Sequence, residues 1–380
     1  MMDRVFKGID SAIARILDKA LGGKQITVPE AVSLFSVNGR ELRAVIMAAD
    51  AARASAVGNK VTYVHNRNIN FTNICVGGCL FCAFHRSPYA RSGGYTLSLA
   101  EIVAKAVEAA GSGATEVCIQ GGLNPDIEPD FYVQMCGEIR RALPGIHIHA
   151  FSPAEVLFVA RRSRCSVETL LTRLKSAGLD SMPGTAAEIL DDSIRNVICP
   201  AKLTAAEWTE VVSTAHRSGI PTSATMLYGH IEQPVHRARH IDLIRRMQTR
   251  DGRFTEFVPL RFIHRNTSLY RQRRCAPQVS SVEDIKVHAI ARLMLAGCVD
   301  NIQASWVKLG LKLAQVCLYA GASDLGGTLM EGHISSAAGS LSPPLLTVAE
   351  LQELILACDR TPVQRTTTYG VTDGDVMTYA

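Results

Sequence analysis

Hydrophobic residues at the start of the chain recur with the period of an α-helix. Val5, Ile9, Ile13 and Ile16 fall on one face, and Gly22-Gly23 provides a stop. A second helical stretch, residues 41–56, ends near Gly58. We therefore predict that residues 1–60 form an N-terminal helical extension in which no catalytic chemistry is evident.

From about residue 61 the pattern changes to short apolar or β-branched runs separated by helical stretches, which is typical of a parallel sheet built from βα units. Capping boxes mark three of the helix starts, at Ser98, Thr204 and Thr347. Eight such units predict an α/β fold with a closed (βα)8, TIM-type barrel over residues 61–380, a range that includes a C-terminal helix and closing segment. The eight runs are 63–72, 115–119, 146–151, 179–182, 222–228, 256–263, 301–306 and 323–325.

Several of the predicted strands alternate polar with apolar residues, whereas the strands of an open doubly wound sheet are almost continuously apolar. In 301–306 the polar residues Asn301, Gln303 and Ser305 share one face, and so do His147 and His149 in the third strand. This pattern favours a lumen that holds a ligand. For each of the two histidines, the alternative is a core histidine whose hydrogen bonds are satisfied within the protein.

The predicted strands end in Gly, polar or aromatic residues, and in (βα)8 enzymes these ends build the active site. Between 265 and 280 lies an arginine-rich stretch, which either clamps an anion or is a solvated loop. The strand-end candidates are Gln120, Gly121, Gly122, Ser152, Tyr228, His230 and His264.

Composition excludes several classes of protein. The net charge is +5, from 40 basic and 35 acidic residues spread along the chain, so no basic stripe indicates nucleic-acid binding. No apolar run approaches the ~20 residues of a membrane span, and the N-terminus lacks a secretory signal. We expect a cytoplasmic protein. Eight of the eleven cysteines are scattered singly and are expected to be small buried hydrophobic residues.

The remaining three cysteines, Cys75, Cys79 and Cys82, form a C-x3-C-x2-C run directly after the first barrel strand. Thiolates are the usual ligands of Fe-S clusters, and three of them leave one iron of a 4Fe-4S cluster without a protein ligand. The alternatives are a Cys3His zinc site that includes His85 and a set of unligated core cysteines. Four zinc ligands within eleven residues would be an unusual arrangement.

This spacing, ahead of a βα barrel, resembles the radical S-adenosylmethionine (SAM) superfamily. The resemblance implies that Cys75, Cys79 and Cys82 hold a 4Fe-4S cluster, and that SAM binds its open iron and is cleaved to a 5′-deoxyadenosyl radical. Gln120-Gly121-Gly122 resembles the Gly-rich turn that lies against SAM in this superfamily, and we expect Ser152 to contact SAM as well.

Longer segments resemble a smaller group of enzymes, which make the deazaflavin precursor of coenzyme F-420 or act in the futalosine route to menaquinone. Segments 180–188, 257–260 and 322–331 are most similar to the tyrosine-using FO synthase subunits. Gly332-His333 and the arginine-rich stretch depart from that family's pattern. The alternatives are a dehypoxanthine futalosine cyclase, an aminofutalosine synthase, or a zinc-stabilised binding protein without catalysis.

The resemblance implies a transferase that joins the 4-hydroxybenzyl group of L-tyrosine to 5-amino-6-(D-ribitylamino)uracil. Its expected partners are the other FO synthase subunit and reduced ferredoxin or flavodoxin. Such a reaction needs a dry lumen lined by hydrogen-bonding groups. We therefore expect His149, Tyr228, His230 and His264 to be catalytic, with Gln303 and Ser305 beside them.

Overall fold

The computed structural model describes residues 8–275, 279–331 and 333–370. Val5 of the predicted first helix and Gly332 of the divergent Gly-His pair lie outside the described residues. Among the described residues, no helix combines the length and the apolar character needed to cross a membrane.

The strands form a closed ring in which every neighbouring pair is parallel. The strands are β1 (Lys60–Val64), β2 (Asn66–Asn70), β3 (Glu116–Gln120), β4 (His147–Ala150), β5 (Thr222–Tyr228), β6 (Phe254–Arg261), β7 (Asp324–Gly327) and β8 (Thr361–Gln364). Two further segments contribute single bridges, at Ser181-Met182 between β4 and β5 and at Ile302-Gln303 between β6 and β7. Pairing of β7 with β1 closes the ring.

Because β1 and β2 are one barrel strand interrupted at His65, the ring contains eight strand positions, which confirms the predicted (βα)8 barrel. The fourth and seventh predicted runs are reduced to isolated bridges. For the fourth run, Pro183 and Gly184 follow at once and end the extended segment. Strand β8 is not predicted by the pattern, and it pairs with β1 from Lys60 opposite Thr361.

The longer helices cover the outside of the ring. The helices are α1 (Ser11–Leu21), α2 (Val28–Ser36), α3 (Gly39–Val57), α4 (Leu99–Gly111), α5 (Asp130–Ala142), α6 (Pro153–Arg162), α7 (Val167–Ser176), α8 (Asp192–Ile198), α9 (Ala205–Arg217), α10 (Pro234–Asp251), α11 (Ser268–Arg271), α12 (Ser281–Leu295), α13 (Trp306–Leu309), α14 (Leu311–Leu318), α15 (His333–Ala337) and α16 (Val348–Leu356).

The three predicted capping boxes are confirmed at the starts of α4, α9 and α16, where the Ser or Thr hydroxyl accepts from the third backbone N–H and the Glu carboxylate binds back. Two further capping boxes with a Ser or Thr at the N-cap begin α2, at Thr27 and Glu30, and α6, at Ser152 and Glu155. The box at α6 lies in the functional site described below.

Helices α1 to α3 pack on the side of the barrel covered by α10 and α12 and share one hydrophobic core with them. Their apolar faces, with Leu17 and Leu34 fully buried, explain the helical period of the first sixty residues. Lys286 of α12 donates to the Phe35 carbonyl at 2.9 Å, and Arg245 of α10 donates to the Ile26 carbonyl at 2.8 Å. The division of the chain at residue 60 stays a prediction, since the extension and the barrel have this core in common.

Candidate active site

A cavity of about 420 Å³ runs through the barrel lumen, which is within the range of small-molecule sites. Its mouth is at the C-terminal ends of the strands, where Cys75, Cys79, Cys82 and Gln120 face it. Its floor is formed by side chains lower in the barrel and by the segment after β8. The position of the cavity is that of the active site in (βα)8 enzymes.

The cysteine loop is held by backbone hydrogen bonds on both sides. Cys75 donates its N–H to the Arg86 carbonyl at 2.8 Å, and Val76 donates to the Leu123 carbonyl at 3.0 Å. Leu80 donates to the Ile198 carbonyl at 2.8 Å. Gly78 has a φ of +56°, a conformation that glycine adopts without strain. The loop is therefore fixed against neighbouring segments rather than only against itself.

The three thiols fit the requirements of an Fe-S cluster. A Cβ atom at Gly77 would lie 3.2 Å from the Cys75 Sγ and 3.7 Å from the Cys79 Sγ, so the loop winds closely around Gly77. The Gly77 N–H donates to the Cys75 Sγ at 3.3 Å, a type of hydrogen bond that stabilises a thiolate ligand. All three cysteines line one cavity and are free thiols.

A single zinc ion would need a different arrangement of ligands from an Fe-S cluster. Within the described ranges, no group of three or more His, Cys, Asp or Glu side chains is close enough to hold one ion. His85, the fourth ligand of the zinc alternative, makes a 2.8 Å contact between its Nδ1 and the Cys82 carbonyl. His85 is therefore engaged with the backbone of the cysteine loop.

Glycine is required at both positions of the turn after β3, because neighbouring atoms lie very close to its backbone. A Cβ at Gly121 would lie 2.5 Å from the Phe71 ring, and a Cβ at Gly122 would lie 2.1 Å from the Ile74 carbonyl oxygen, next to Cys75. The turn thus packs directly against the cysteine loop, and any larger residue would displace one or the other. Gly121 and Gly122 also line the cavity.

Behind this turn lies Glu155, a buried carboxylate that connects two strand ends. It accepts from the Gly121 N–H at 2.8 Å and from the Ser152 N–H at 2.8 Å, and the Ser152 hydroxyl donates to it at 2.6 Å. Burial raises the pKa of Glu155 to about 7, although these three donors act to lower it. The Ser152 hydroxyl caps α6, and the same residue also lines the cavity.

Two other predicted residues line the lumen. The Gln120 side-chain oxygen accepts from the Thr185 hydroxyl at 2.9 Å. His149 contacts the Ser181 hydroxyl through Nδ1 at 2.7 Å, and the Nε2 of His147 contacts the same hydroxyl at 2.7 Å. Burial lowers the pKa of His149 to about 4, so this imidazole is neutral near pH 7. His149 is hydrogen-bonded and at the same time faces the cavity.

The expectation for Tyr228 needs correction. In β5, residues 223, 225 and 227 line the cavity, so Tyr228 belongs to the opposite face of the strand. Its hydroxyl donates to the buried Asp284 of α12 at 2.7 Å, and the Arg237 guanidinium lies over its ring. Tyr228 therefore connects the strand to the surrounding helices and does not face the lumen.

His230 and His264 also lie outside the cavity lining. His230 is buried beyond the end of β5, where its Nε2 contacts the Leu227 carbonyl at 3.1 Å and its Nδ1 accepts from the Ile231 N–H at 2.8 Å. The His264 ring packs edge-on against Tyr270, with ring centres 4.5 Å apart. Past a strand end the chain no longer alternates between faces, and both histidines turn toward neighbouring loops.

The isolated cysteines and the arginine-rich stretch are partly as expected. Cys136, Cys199, Cys317 and Cys358 are buried, whereas Cys165, Cys275 and Cys298 are partly exposed, and Cys118 lines the lumen. In the described part of 265–280, Arg271, Arg273 and Arg274 are exposed and do not line the cavity, which is the arrangement of a solvated loop.

The floor of the lumen is a charged network that sequence reasoning missed. Arg365, after β8, donates to Asp324 at 2.6 Å and to Glu256 at 3.4 Å. Thr367 donates to Glu116 at 2.6 Å. Burial raises the pKa of Glu256 to about 7, against the opposing effect of Arg365. Glu256 lies on the same face of β6 as other lining residues, so the alternation along that strand could have predicted that Glu256 faces the lumen. No comparable pattern in the sequence predicts the position of Arg365.

The walls near the mouth carry two lysines that were also missed. Lys202 forms an ion pair with Glu188 at 2.5 Å, and its ammonium lies 5.5 Å from the centre of the Phe81 ring. Lys308, at the end of α13, faces the cavity. Glu331 also lines the cavity and pairs with Lys105 at 2.6 Å.

Comparison with known proteins agrees with this geometry. Residues 69–244 match the family model of the radical SAM superfamily, and residues 251–376 match the CofH/MqnC C-terminal region. The computed fold is similar to methylornithine synthase PylB, with a TM-score of 0.70 at 18% identity over 91% of this chain and 97% of that one. It also resembles the FeFe-hydrogenase maturase HydG from Carboxydothermus hydrogenoformans, with a TM-score of 0.73 at 16% identity over 97% and 83%.

Two curated relatives carry the same name, 5-amino-6-(D-ribitylamino)uracil--L-tyrosine 4-hydroxyphenyl transferase. The protein of Methanothermobacter thermautotrophicus is 48% identical over 95% of this chain and 98% of its own length. That of Archaeoglobus fulgidus is 52% identical over 86% and 92%. With the cysteine loop at the mouth of a parallel barrel, these similarities show that the chain belongs to the radical SAM family of 5-amino-6-(D-ribitylamino)uracil--L-tyrosine 4-hydroxyphenyl transferases.

Proposed function

We propose that the chain joins the 4-hydroxybenzyl group of L-tyrosine to 5-amino-6-(D-ribitylamino)uracil, the FO synthase reaction on the way to coenzyme F-420. The observation that carries the proposal is the set of three cysteines lining the mouth of the barrel lumen in a chain about half identical to enzymes of that name. The same relatives favour this reaction over the futalosine alternatives.

Cys75, Cys79 and Cys82 would hold the 4Fe-4S cluster, and Gln120, Gly121, Gly122 and Ser152 would lie along SAM. When bound, the cluster and SAM supply the radical that takes a hydrogen atom from the substrate. The protein's part is to position the reactants and to exclude water, because a radical intermediate reacts with whatever lies near it. The position of the cavity inside the barrel, with apolar side chains such as Leu260 and Phe262 in its walls, supports that role.

The lumen offers groups suited to both substrates. Gln120, His149 and Gln303 present hydrogen-bonding side chains along the walls, which suits a uracil ring and a ribityl chain. Neutral His149 either donates or accepts, depending on its tautomer. Glu256, with its pKa raised to about 7 by burial, is placed to exchange a proton near neutral pH. We propose these residues in place of Tyr228, His230 and His264.

The proposal includes partners and a location. The other FO synthase subunit would complete the product, reduced ferredoxin or flavodoxin would supply the electron, and the cytoplasm would provide the reducing surroundings that free cysteines need.

Anaerobic incubation of the reconstituted protein tests the reaction. With SAM, dithionite and tyrosine, mass spectrometry should detect a 4-hydroxybenzyl adduct only when the diaminouracil is present. The matched control is Cys79→Ala, which should form neither the adduct nor 5′-deoxyadenosine. Conversion of dehypoxanthine futalosine without tyrosine would reject the proposal.

A further inference from the structure

Ionised side chains that line the cavity are almost all neutralised by a partner. Lys202 is paired with Glu188, Arg365 with Asp324 and Glu256, and Glu331 with Arg67 and Lys105. Glu155 and Glu116 each accept hydrogen bonds from two residues. A buried charge is costly unless it is paired, so these contacts are expected.

Lys308 is the exception among the described residues that line the cavity. Within the described ranges, its ammonium has no carboxylate within ion-pair distance and no hydrogen-bond acceptor. Removal from bulk water lowers its pKa to about 8, and the nearby Cys82 thiol opposes that shift. The side chain is thus a cation held in the wall of the cavity, near the cysteine loop, with its donors unused.

The backbone that carries Lys308 is firmly held. The Trp306 indole N–H donates to the Gly327 carbonyl at 3.1 Å, which fixes α13 against the end of β7. Lys308 itself donates its N–H to the Ser305 carbonyl at 3.0 Å, and the Ser342 hydroxyl donates to the Trp306 carbonyl at 3.2 Å. Ser305, Trp306 and Val307 line the cavity beside it. The ammonium is therefore presented to a ligand by a rigid element.

We propose that Lys308 binds the α-carboxylate of an amino-acid group inside the cavity. The inference rests on the proposed function, under which two such groups enter the lumen: L-tyrosine and the methionyl part of SAM. An ammonium has three donors and no acceptor, and a carboxylate is the ligand group that satisfies both its charge and its hydrogen bonds. The opposite charge of the ligand would supply the partner that the other lining ions find within the protein.

Equilibrium binding to the reconstituted protein tests this, with the cluster oxidised so that no turnover occurs. Ligand pairs that differ only in the carboxylate separate the two sources: tyrosine against tyramine, and SAM against decarboxylated SAM. In Lys308→Met, the affinity for either tyrosine or SAM should fall about 10- to 100-fold, while its decarboxylated partner binds as before. Lys308→Arg should restore most of the loss, because it keeps a donor with a positive charge.

Lys312→Met is the matched control, since Lys312 is exposed on the next helix and should change neither affinity. Iron content and absorbance of each variant establish that the cluster is present. If Lys308→Met binds all four ligands as the wild-type protein does, or only shifts the reduction potential of the cluster, the inference is wrong. Failure of the wild-type protein to bind tyrosine at all would instead count against the proposed function.

Discussion

Replacing Gly122 with Ala should prevent the cluster from forming while leaving the barrel folded. The added Cβ would lie 2.1 Å from the Ile74 carbonyl oxygen, 2.8 Å from its carbon and 2.9 Å from the Cys75 Cβ. Two of these three atoms belong to the backbone, so no side-chain rotation relieves the overlap. To reach ordinary contact at 3.4 Å, the Cys75 segment must move by about 1.3 Å, at a cost of roughly 1–3 kcal/mol.

A shift of that size is large for a metal site. Cys75 must stay in register with Cys79 and Cys82, because a cluster ligand tolerates only a few tenths of an ångström in its bond to iron. Hydrogen bonds to the Arg86 and Leu123 carbonyls hold the cysteine loop in place. The loop therefore cannot easily move to relieve the overlap with the added Cβ. We therefore expect Gly122→Ala to be stable but deficient in iron.

The assay is anaerobic reconstitution followed by iron and sulfide analysis and the absorbance near ~400 nm that Fe-S clusters show. Thermal unfolding of the apoprotein measures the cost to the fold. The matched control is Gly137→Ala, in the middle of α5, where a Cβ has no atom within 4 Å. Gly122→Ala protein with full iron content and unchanged stability would refute the argument from close approach.

Three further predictions follow from the site and the floor of the lumen. Cys79→Ala should abolish cluster binding and SAM cleavage, whereas Cys317→Ala, in the core, should cost about 1 kcal/mol by urea unfolding and retain its iron; equal iron in both would contradict the ligand assignment. Arg365→Leu should destabilise the protein by about 3–5 kcal/mol, because it leaves Asp324 buried without its cation; a loss below about 1 kcal/mol in urea unfolding would show that the floor is not held by this pair. Burial raises the pKa of Glu155 from 4.5 to about 7. The contribution of Glu155 to the free energy of unfolding is therefore fully present below pH 4.5 and is lost as the pH rises through 7, by up to about 3 kcal/mol. Urea unfolding of the apoprotein at pH 5 and pH 8 should therefore show a smaller pH effect in Glu155→Gln than in the wild-type protein, and equal pH effects would contradict the assignment.

Local signals made the barrel and the cysteine loop predictable. Helix starts follow from capping residues a few positions apart, and the three cysteines lie within eight residues of sequence. The alternation of polar residues along 301–306 correctly indicated a lumen, since Gln303 and Ser305 line the cavity. These features need no knowledge of the rest of the chain.

The failures have two physical origins. Tyr228 was assigned to the lumen because it lies at a strand end. Side chains alternate along β5, and Ser223 and Thr225 face inward, so the sequence itself indicated that Tyr228 faces outward. The floor was different, because Arg365 meets Asp324 only after the C-terminal segment returns to pair with β1. A contact between residues so far apart in sequence leaves no periodic pattern. Lys308 was missed because an isolated lysine on a short helix is usually solvated.

The fate of isotope from L-tyrosine tests the central claim most directly. Reconstituted protein would be incubated anaerobically with SAM, a reductant, 5-amino-6-(D-ribitylamino)uracil and tyrosine labelled in the ring and, separately, in the α-carbon. The account predicts that ring label enters a product with a 4-hydroxybenzyl group on the diaminouracil, and that α-carbon label is recovered as glyoxylate after hydrolysis of the imine. Label that stays in unreacted tyrosine, while the same protein converts dehypoxanthine futalosine, would contradict it.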